Sequence, residues 1–473
     1  MKILYASSEA YPFAMSGGLA DVAGALPKAL RRRLVGCRVV MPLYGSVSEE
    51  LRADMKFITS ITVPVAWRRQ YCGIYEARVD GVIYYLLDNQ YYFKREGLYG
   101  HYDDAERFAF FSRAVLEMIP YIDYNPDIIH CNDWQTAMIP VYLDRFYCHD
   151  PRYTNIKTFY TIHNIQYQGN FGFELLGDVF GLPEESAGLM EYNGCLNLMK
   201  AAIECAHLVT TVSPTYAKEI LTEEYSHGLS PILIRNSQKV FGIVNGIDTV
   251  VYDPEADKAL FAPFSAADPS GKAVNKAELQ KYVGLPQRDD LPLIGVVSRL
   301  VGHKGFDLVK CVFEDMLKAD VQVVILGSGE WEFETFFYEM GQKYKDKVAF
   351  KLGFIPDLAR KIYGGADMFL MPSKSEPCGL AQMIALRYGT IPIVRKTGGL
   401  NDTITDISLG DGNGFVFDEY NAHLMLETIW RAIGMYDNDK KGWTALRDNA
   451  LAIDNGWNVS AGEYIKLYKE LLS

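Results

Sequence analysis

The stretch Leu370–Leu400, LMPSKSEPCGLAQMIALRYGTIPIVRKTGGL, decides the fold. Its opening closes an apolar run, Met368 to Pro372, of buried-strand length, and Ser373-Lys374-Ser375-Glu376-Pro377 breaks that run. Gly379 to Tyr388 has helical spacing, with Leu380, Ile384 and Leu386 available to face a sheet and Gly389 as a stop. Ile391 to Val394 is a second buried strand, and Gly398-Gly399 turns the chain after it. Two strands joined by a helix make a parallel unit whose loops gather at the carboxyl edge of the sheet, and open α/β sheets bind ligands at that edge. Glu376, the amides near Cys378-Gly379-Leu380 and the Thr397-Gly398-Gly399 turn therefore belong to one cleft. Amides at a helix start carry partial positive charge and suit an anion. Singly, a Glu before a helix is a charge partner for its N-terminus and a Gly-Gly pair is a turn. Their joint placement, with Pro377 fixing the chain between them, points to a site.

Working upstream, the same alternation begins at Leu291: strand LIGVVS, helix from Phe306, strand VQVVIL, helix from Glu330, strand VAFKLGF and helix from Leu358. Before it, Asp253 to Asp290 shows little apolar periodicity and reads as a crossover between domains. An earlier series runs through strands at Lys2–Ser7, Arg38–Leu43, Cys72–Asp88 (with an Asp80-Gly81 hairpin signal), Asp127–Cys131, Thr158–Ile162, Leu208–Val212 and Val240–Val244. Helices are expected at Leu19–Leu30, Asp104–Ile119 and Thr136–Phe146, and helical segments fill Gly172–Ala206. The chain is helical after Tyr420, and its last amphipathic segment, Val459 to Leu472, packs back on a domain. The expected class is α/β, two doubly wound domains facing across a cleft, with boundaries 1–248, 249–455 and a returning helix 456–473.

Composition narrows the function. The 473 residues exceed one ordinary domain, and 49% hydrophobic with 22% charged residues describes a globular protein with large cores. A net charge of −12 argues against a nucleic-acid surface. The eight cysteines form no CxxC pair, so reduced core thiols and no metal cluster are expected. The opening MKILYAS lacks a signal-peptide core and no 18-residue apolar stretch follows, so no membrane partner and a cytoplasmic setting are expected.

Two cations stand on the loop after the first strand of the second series, in Ser298-Arg299-Leu300-Val301-Gly302-His303-Lys304-Gly305. Arg offers a fixed fork of donors and Lys a mobile point charge, a pairing suited to a diphosphate. Without the glycine-rich approach it is not a Walker loop. Asp437-Asn438-Asp439 lies away from strand ends and reads as solvated turn. In the first series, Asp133, His163 and Asn245 fall directly after strands, and Asp21 follows the glycine turn Ser16-Gly17-Gly18. Carboxylate, amide and imidazole at one sheet edge suit sugar hydroxyls.

Over nearly the whole chain, SGGLADV, HCNDWQTA, TIHNIQYQGNF, TVSPTYAKEI, GIVNGID, SRLVGHKG, LGSGE, EPCGL and TGGL resemble successive signatures of bacterial glycogen and plant starch synthases. The resemblance implies a retaining glucosyltransferase of the two-Rossmann (GT-B) kind. Such enzymes move glucose from ADP-glucose to the non-reducing end of an α-1,4-glucan without a metal. It implies that Arg299 and Lys304 hold the diphosphate and Glu376 contacts the transferring glucose. Asp133 and His163 would line the reaction centre, and Phe354 would lie against adenine. Asn245 and Asp21 would help bind glucose or the acceptor, beside the Ser16-Gly17-Gly18 loop. Two positions depart from the pattern: Met15 stands where the family has Lys, and Gln135 where many relatives have His. Two other readings remain at this level, a GT-B enzyme with a small acceptor and a non-catalytic glucan-binding relative.

Overall fold

Continuous apolar strands organise both halves of the computed structural model, which describes residues 1–473. Two units emerge, Met1–Gly246 with Trp457–Ser473, and Ile247–Gly456. In the first unit the strands are β1 (Lys2–Ala6), β2 (Gly36–Pro42), β3 (Lys56–Val65), β4 (Arg68–Val79), β5 (Val82–Asp88), β6 (Ile128–Asn132), β7 (Lys157–Ile162), β8 (Asn170–Phe171), β9 (Glu191–Tyr192), β10 (Cys195–Asn197), β11 (Leu208–Thr211) and β12 (Val240–Gly242). Nine of them form one sheet in the order β12-β11-β7-β6-β1-β2-β5-β4-β3. It is parallel except where β4 turns back between β5 and β3. The Asp80-Gly81 turn joining β4 to β5 has both residues at positive φ (49° and 79°), the mirror-image geometry that suits the twist of a hairpin.

Two expectations for this unit need correction. Gly172–Ala206 is only partly helical: short helices at Leu175–Asp178 and Ala187–Met190 and a longer one at Leu198–Cys205 share it with β9 and β10, which join β8 in a small antiparallel sheet. Strands of two or three residues leave no readable alternation. Thr136–Phe146 is likewise broken, into a 3₁₀ turn at Trp134–Thr136, an α-helix at Met138–Tyr142 and a π-turn at Leu143–Tyr147.

The helix Trp457–Leu472 belongs to the first unit. Its buried stripe, Trp457, Ala461, Tyr464 and Tyr468, follows helical spacing. Tyr468 places its hydroxyl 2.6 Å from His130 Nδ1, and His130 Nε2 lies 2.7 Å from Thr161 Oγ1. Burial keeps that imidazole neutral, well below its ordinary pKa.

The second unit has β13 (Leu293–Val297), β14 (Gln322–Gly327), β15 (Val348–Leu352), β16 (Met368–Met371), β17 (Ile391–Arg395) and β18 (Phe415–Phe417). All run parallel in the order β15-β14-β13-β16-β17-β18. Counted within the unit this is 3-2-1-4-5-6, the doubly wound dinucleotide-fold order. The crossover region contains a helix that the sequence reading did not find, Gly271–Val283. Its buried residues, Lys272, Asn275, Lys276, Leu279, Gln280 and Val283, do recur at helical spacing, but most are polar. Lys272 Nζ donates to Gly364 O, Tyr388 O and Thr390 Oγ1 at 3.1, 2.9 and 2.7 Å, so all three of its protons are satisfied. A core-facing stripe of lysines and amides carries no hydrophobic signal. Asp437-Asn438-Asp439 is exposed, closing one helix and capping the next through Gly442 N at 2.9 Å. No helix of the chain is long and apolar enough to cross a membrane.

Candidate active-site residues at the sheet edges

In the second unit the strand order reverses between β13 and β16, which pair as Ile294 with Met368 and Gly295 with Phe369. A reversal leaves adjacent loops departing to opposite faces and opens a crevice at the carboxyl ends. The loop after β13 carries Arg299 and Lys304, and the loop after β16 carries Glu376. Gly305, at φ 81°, lets the two loops touch, since a Cβ there would lie 2.0 Å from Pro372 O. Lys374 N then donates to His303 O at 2.9 Å. Glu376 is 6% exposed. Its Oε2 accepts from Lys304 Nζ at 2.7 Å and from Ser373 Oγ at 3.0 Å, the partners a buried carboxylate needs. Arg299 is exposed and its guanidinium makes no ion pair. Between these cations His303 is half-buried, and burial, with Lys304 and Arg299 adding to it, holds its imidazole below the ordinary range.

The Thr397-Gly398-Gly399 segment is not a free turn. Thr397 precedes a short helix, Gly398–Thr403, whose glycines lie against the backbone of the Glu376 loop. A Cβ would fall 1.9 Å from Glu376 O at Gly398 and 2.1 Å from Cys378 O at Gly399. Gly399 N donates to Glu376 O at 3.1 Å. Glycine is required here by contact between two main chains. The helix expected from Gly379 starts instead at Ala381, with Leu380 before it and Gly379 at φ 72°.

Two residues of this edge escaped the sequence reading. Gln382 is fully buried, and its Nε2 lies 3.0 Å from both Cys378 O and Gly379 O and 3.1 Å from Thr403 Oγ1, tying the two segments together. Arg395, at the end of β17, donates from Nε to Ser373 O at 2.8 Å and from Nη2 to Lys374 O. The available signal was a cation ending an otherwise apolar strand. Phe354, just past edge strand β15, is 75% exposed.

The first unit has its own reversal, between β1 and β6, where Tyr5 pairs with His130 and Ala6 with Cys131. After β1 comes the loop with Ser16, Gly17 and Gly18, then Asp21 in the first turn of the helix Gly18–Arg32. After β6 comes Asp133, and His163 follows the neighbouring β7. Asp133 sits at φ 55°, a strained backbone costing about 1–3 kcal/mol and characteristic of functional positions. Its Oδ1 accepts from His163 N at 2.7 Å and Asn164 N at 3.4 Å. Burial nevertheless pushes the carboxyl up to about 7. His163 Nε2 lies 2.9 Å from Asn132 Oδ1. Asn132 donates from Nδ2 to Ala6 O and accepts the Tyr5 hydroxyl on Oδ1, so the His163 ring, facing that Oδ1, carries its proton on Nε2. Burial lowers its pKa to about 3.

Glu9 is the residue missed in this unit, though it lies just past the end of β1. It is 2% exposed, and its Oε2 accepts from Ser16 N and Oγ at 2.7 and 2.6 Å, fastening the glycine loop. Burial raises its pKa, with Asp21 adding to the shift. Met15 on the same loop is 47% exposed. Asn245 follows β12 at the sheet's edge, buried, with Oδ1 unpartnered. Gln135 Oε1 is also buried without a partner. The structure thus joins Glu376, Lys304, Cys378 and Gly398-Gly399 in one contact group and Asp133 with His163 in another.

Comparison with known proteins gives this geometry a family. The family model described as "Starch synthase catalytic domain" matches residues 2–235, and "Glycosyl transferases group 1" matches residues 282–441. The chain is 50% identical to the glycogen synthase of Geobacillus thermodenitrificans, covering 100% of this chain and 98% of that one. It is 49% identical to the glycogen synthase of Bacillus anthracis, over all of both chains. Among solved structures, the catalytic domain of Arabidopsis thaliana starch synthase IV bound to ADP and acarbose matches with a TM-score of 0.93 at 35% identity, covering 100% and 99% of the two chains. A sucrose-phosphate synthase from Thermosynechococcus elongatus matches at 0.60 and 18% identity, covering 99% and 98%, which is a likeness of fold alone. Half the residues are shared from end to end with bacterial glycogen synthases, so both sheet edges fall inside the shared chain: this protein belongs to the glycogen and starch synthase family of GT-B glucosyltransferases.

Proposed function

We propose that the protein transfers glucose from ADP-glucose to the non-reducing end of an α-1,4-glucan with retention at the anomeric carbon. The observation that carries this reading is the Lys304–Glu376 pair at 2.7 Å, on the two loops flanking the strand reversal of a dinucleotide-type sheet. The ADP bound in the starch synthase IV relative supports adenine as the donor base. Phe354, with its exposed ring, is assigned to it. Arg299 and Lys304 take the diphosphate, where Arg299 brings a guanidinium not already spent on an ion pair. Glu376 contacts the transferring glucose. Asp133 and His163 are assigned to the reaction centre, and Asn245, Asp21 and the Ser16-Gly17-Gly18 loop to hydroxyls of glucose or acceptor.

Breaking the C1–O bond develops an oxocarbenium-like sugar and a charged leaving group. Fixed donors aimed at that charge are worth roughly 3 kcal/mol each, by analogy with oxyanion holes. Retention follows if the acceptor attacks from the face the diphosphate leaves, and the departing phosphate takes the acceptor's proton. His163 suits positioning rather than general-base work: its Nε2 proton is committed to Asn132 and its basicity is low. This reading meets the diphosphate charge with the side-chain cations Arg299 and Lys304 and expects no metal. We assign the protein to the cytoplasm, a setting that suits eight free cysteines.

The test is incubation with glycogen and either ADP-glucose or UDP-glucose, following nucleotide release and polymer labelling. ADP-glucose should give both, with the larger rate. Nucleotide release without polymer growth, or growth only with a small sugar acceptor, would overturn the assignment.

A further inference from the structure

Arg395, the last residue of β17, is 5% exposed and stands among the loops that carry Lys304 and Glu376. Its place follows from the sheet. β16 and β17 pair up to Met371 with Val394, so the next residue of β17 comes level with the start of the loop 373–377. There the guanidinium meets two successive carbonyls: Nε donates to Ser373 O at 2.8 Å and Nη2 donates to Lys374 O. Both of those residues hold the charged pair. The buried Ser373 hydroxyl donates to Glu376 Oε2 at 3.0 Å, the oxygen that also accepts from Lys304 Nζ at 2.7 Å. Lys374 N donates at 2.9 Å to the carbonyl of His303, the residue before Lys304. Arg395 thus reaches Glu376 through one carbonyl and the Lys304 loop through the other.

A second set of contacts closes the circuit. The Arg395 guanidinium carbon lies 5.8 Å from the centroid of the Tyr420 ring, and Lys374 Nζ lies 5.7 Å from it. The Tyr420 hydroxyl donates to Asp307 Oδ1, in the first turn of the helix Phe306–Met316 that follows the Lys304 loop. The segments after β13, β16 and β18 are therefore tied around one buried side chain. A lysine would not replace it, because an ammonium is a point charge and lacks the planar fork that meets two carbonyls side by side.

We infer that Arg395 is a positioning residue for glucosyl transfer, fixing Ser373 and Lys374 so that the Glu376 carboxylate is held where the reacting sugar needs it. This rests on the assignment of Glu376 to the transferring glucose. Arg395 acts through Glu376 and not on the substrate. Supporting side chains of this kind keep a reacting group within about 0.5 Å of its productive place. Misplacement by about 1 Å costs on the order of 100-fold in rate.

The test is a double-mutant cycle on the full chain, in the glycogen-labelling assay with ADP-glucose. Arg395→Lys should lower kcat about 10- to 100-fold and leave KM for ADP-glucose within about threefold. In a Glu376→Ala background, assayed at higher enzyme concentration, the same change should cost less than about threefold, because the group it positions is gone. A general loosening of the fold would instead cost the same factor in both backgrounds. If Arg395→Lys does not fold, Ser373→Ala removes the next link: it should lower kcat about 3- to 10-fold, and that loss should vanish in the Glu376→Ala background. A crystal structure of Arg395→Lys, or of Ser373→Ala in its place, should show the Glu376 carboxylate displaced from Lys304. Undiminished kcat in both variants, equal losses in both backgrounds, or a Glu376 carboxylate unmoved in the crystal would each overturn the inference. A wild type that labels no polymer fails the assigned activity instead, and the crystal comparison then decides on Arg395 by itself.

Discussion

The two sheets reverse strand order in the same way, yet their edges are opposite in electrical character. In the second unit the edge is ionic: Lys304 against Glu376, and Arg299 exposed beside them. In the first it is close to neutral. Burial pushes Asp133 up to about 7 and lowers His163 to about 3, and it raises Glu9 as well. The same topology thus builds one edge suited to a charged diphosphate and another suited to uncharged hydroxyls. What differs is where the cations are: Arg299 and Lys304 stand on the second edge, whereas the glycine loop of the first carries Met15.

The strongest way to break this contrast is to remove the ionic pair. Lys304→Ala and Glu376→Ala should each lower turnover in the glycogen-labelling assay by at least ~100-fold, and unchanged turnover in both would undo the site assignment. Next in size, Gly399→Ala puts a methyl 2.1 Å from Cys378 O and must separate the two segments. Misplacement of that order costs roughly 10- to 100-fold in transfer, seen as a fall in kcat with the chain still folded by circular dichroism.

The neutral edge is sharpened by Asp133→Asn. A carboxyl raised from 3.8 to about 7 on folding stabilises the fold fully below pH 4 and loses that contribution as pH rises through 7. The wild type should therefore lose roughly 2–3 kcal/mol between pH 5 and pH 8 that the asparagine variant keeps, measured by urea unfolding at both values. A parallel pH profile in the two proteins would count against a raised Asp133. Smallest, Met15→Lys adds a cation to the neutral edge, and should tighten donor binding about threefold to tenfold, the ~1 kcal/mol expected of one exposed charge. Titration with ADP-glucose showing no gain would separate that loop from the phosphates.

The contrast also explains what could be read from the sequence. Strand ends in parallel sheets announce themselves, because Asp133, His163, Lys304 and Glu376 each follow an apolar run that periodicity finds. Contacts between two main chains do not. Gly398-Gly399 read as a turn because nothing local reveals the Glu376 carbonyl beside it. Gln382 and Glu9 look like surface residues until tertiary structure buries them. The helix Gly271–Val283 was invisible for a related reason: its inward stripe is polar, and Lys272 on it is satisfied by two carbonyls and a hydroxyl about 90 to 120 residues distant in the chain.

The returning helix Trp457–Leu472 bears on how the protein is made. Tyr464 and Tyr468 fill the space around His130 and Phe159 on β6 and β7, yet they are translated after the whole of the second unit. A nascent first unit leaves that apolar hollow uncovered while more than 200 further residues are synthesised. The second unit can close its own sheet in the meantime, so the half that is begun first is the half completed last.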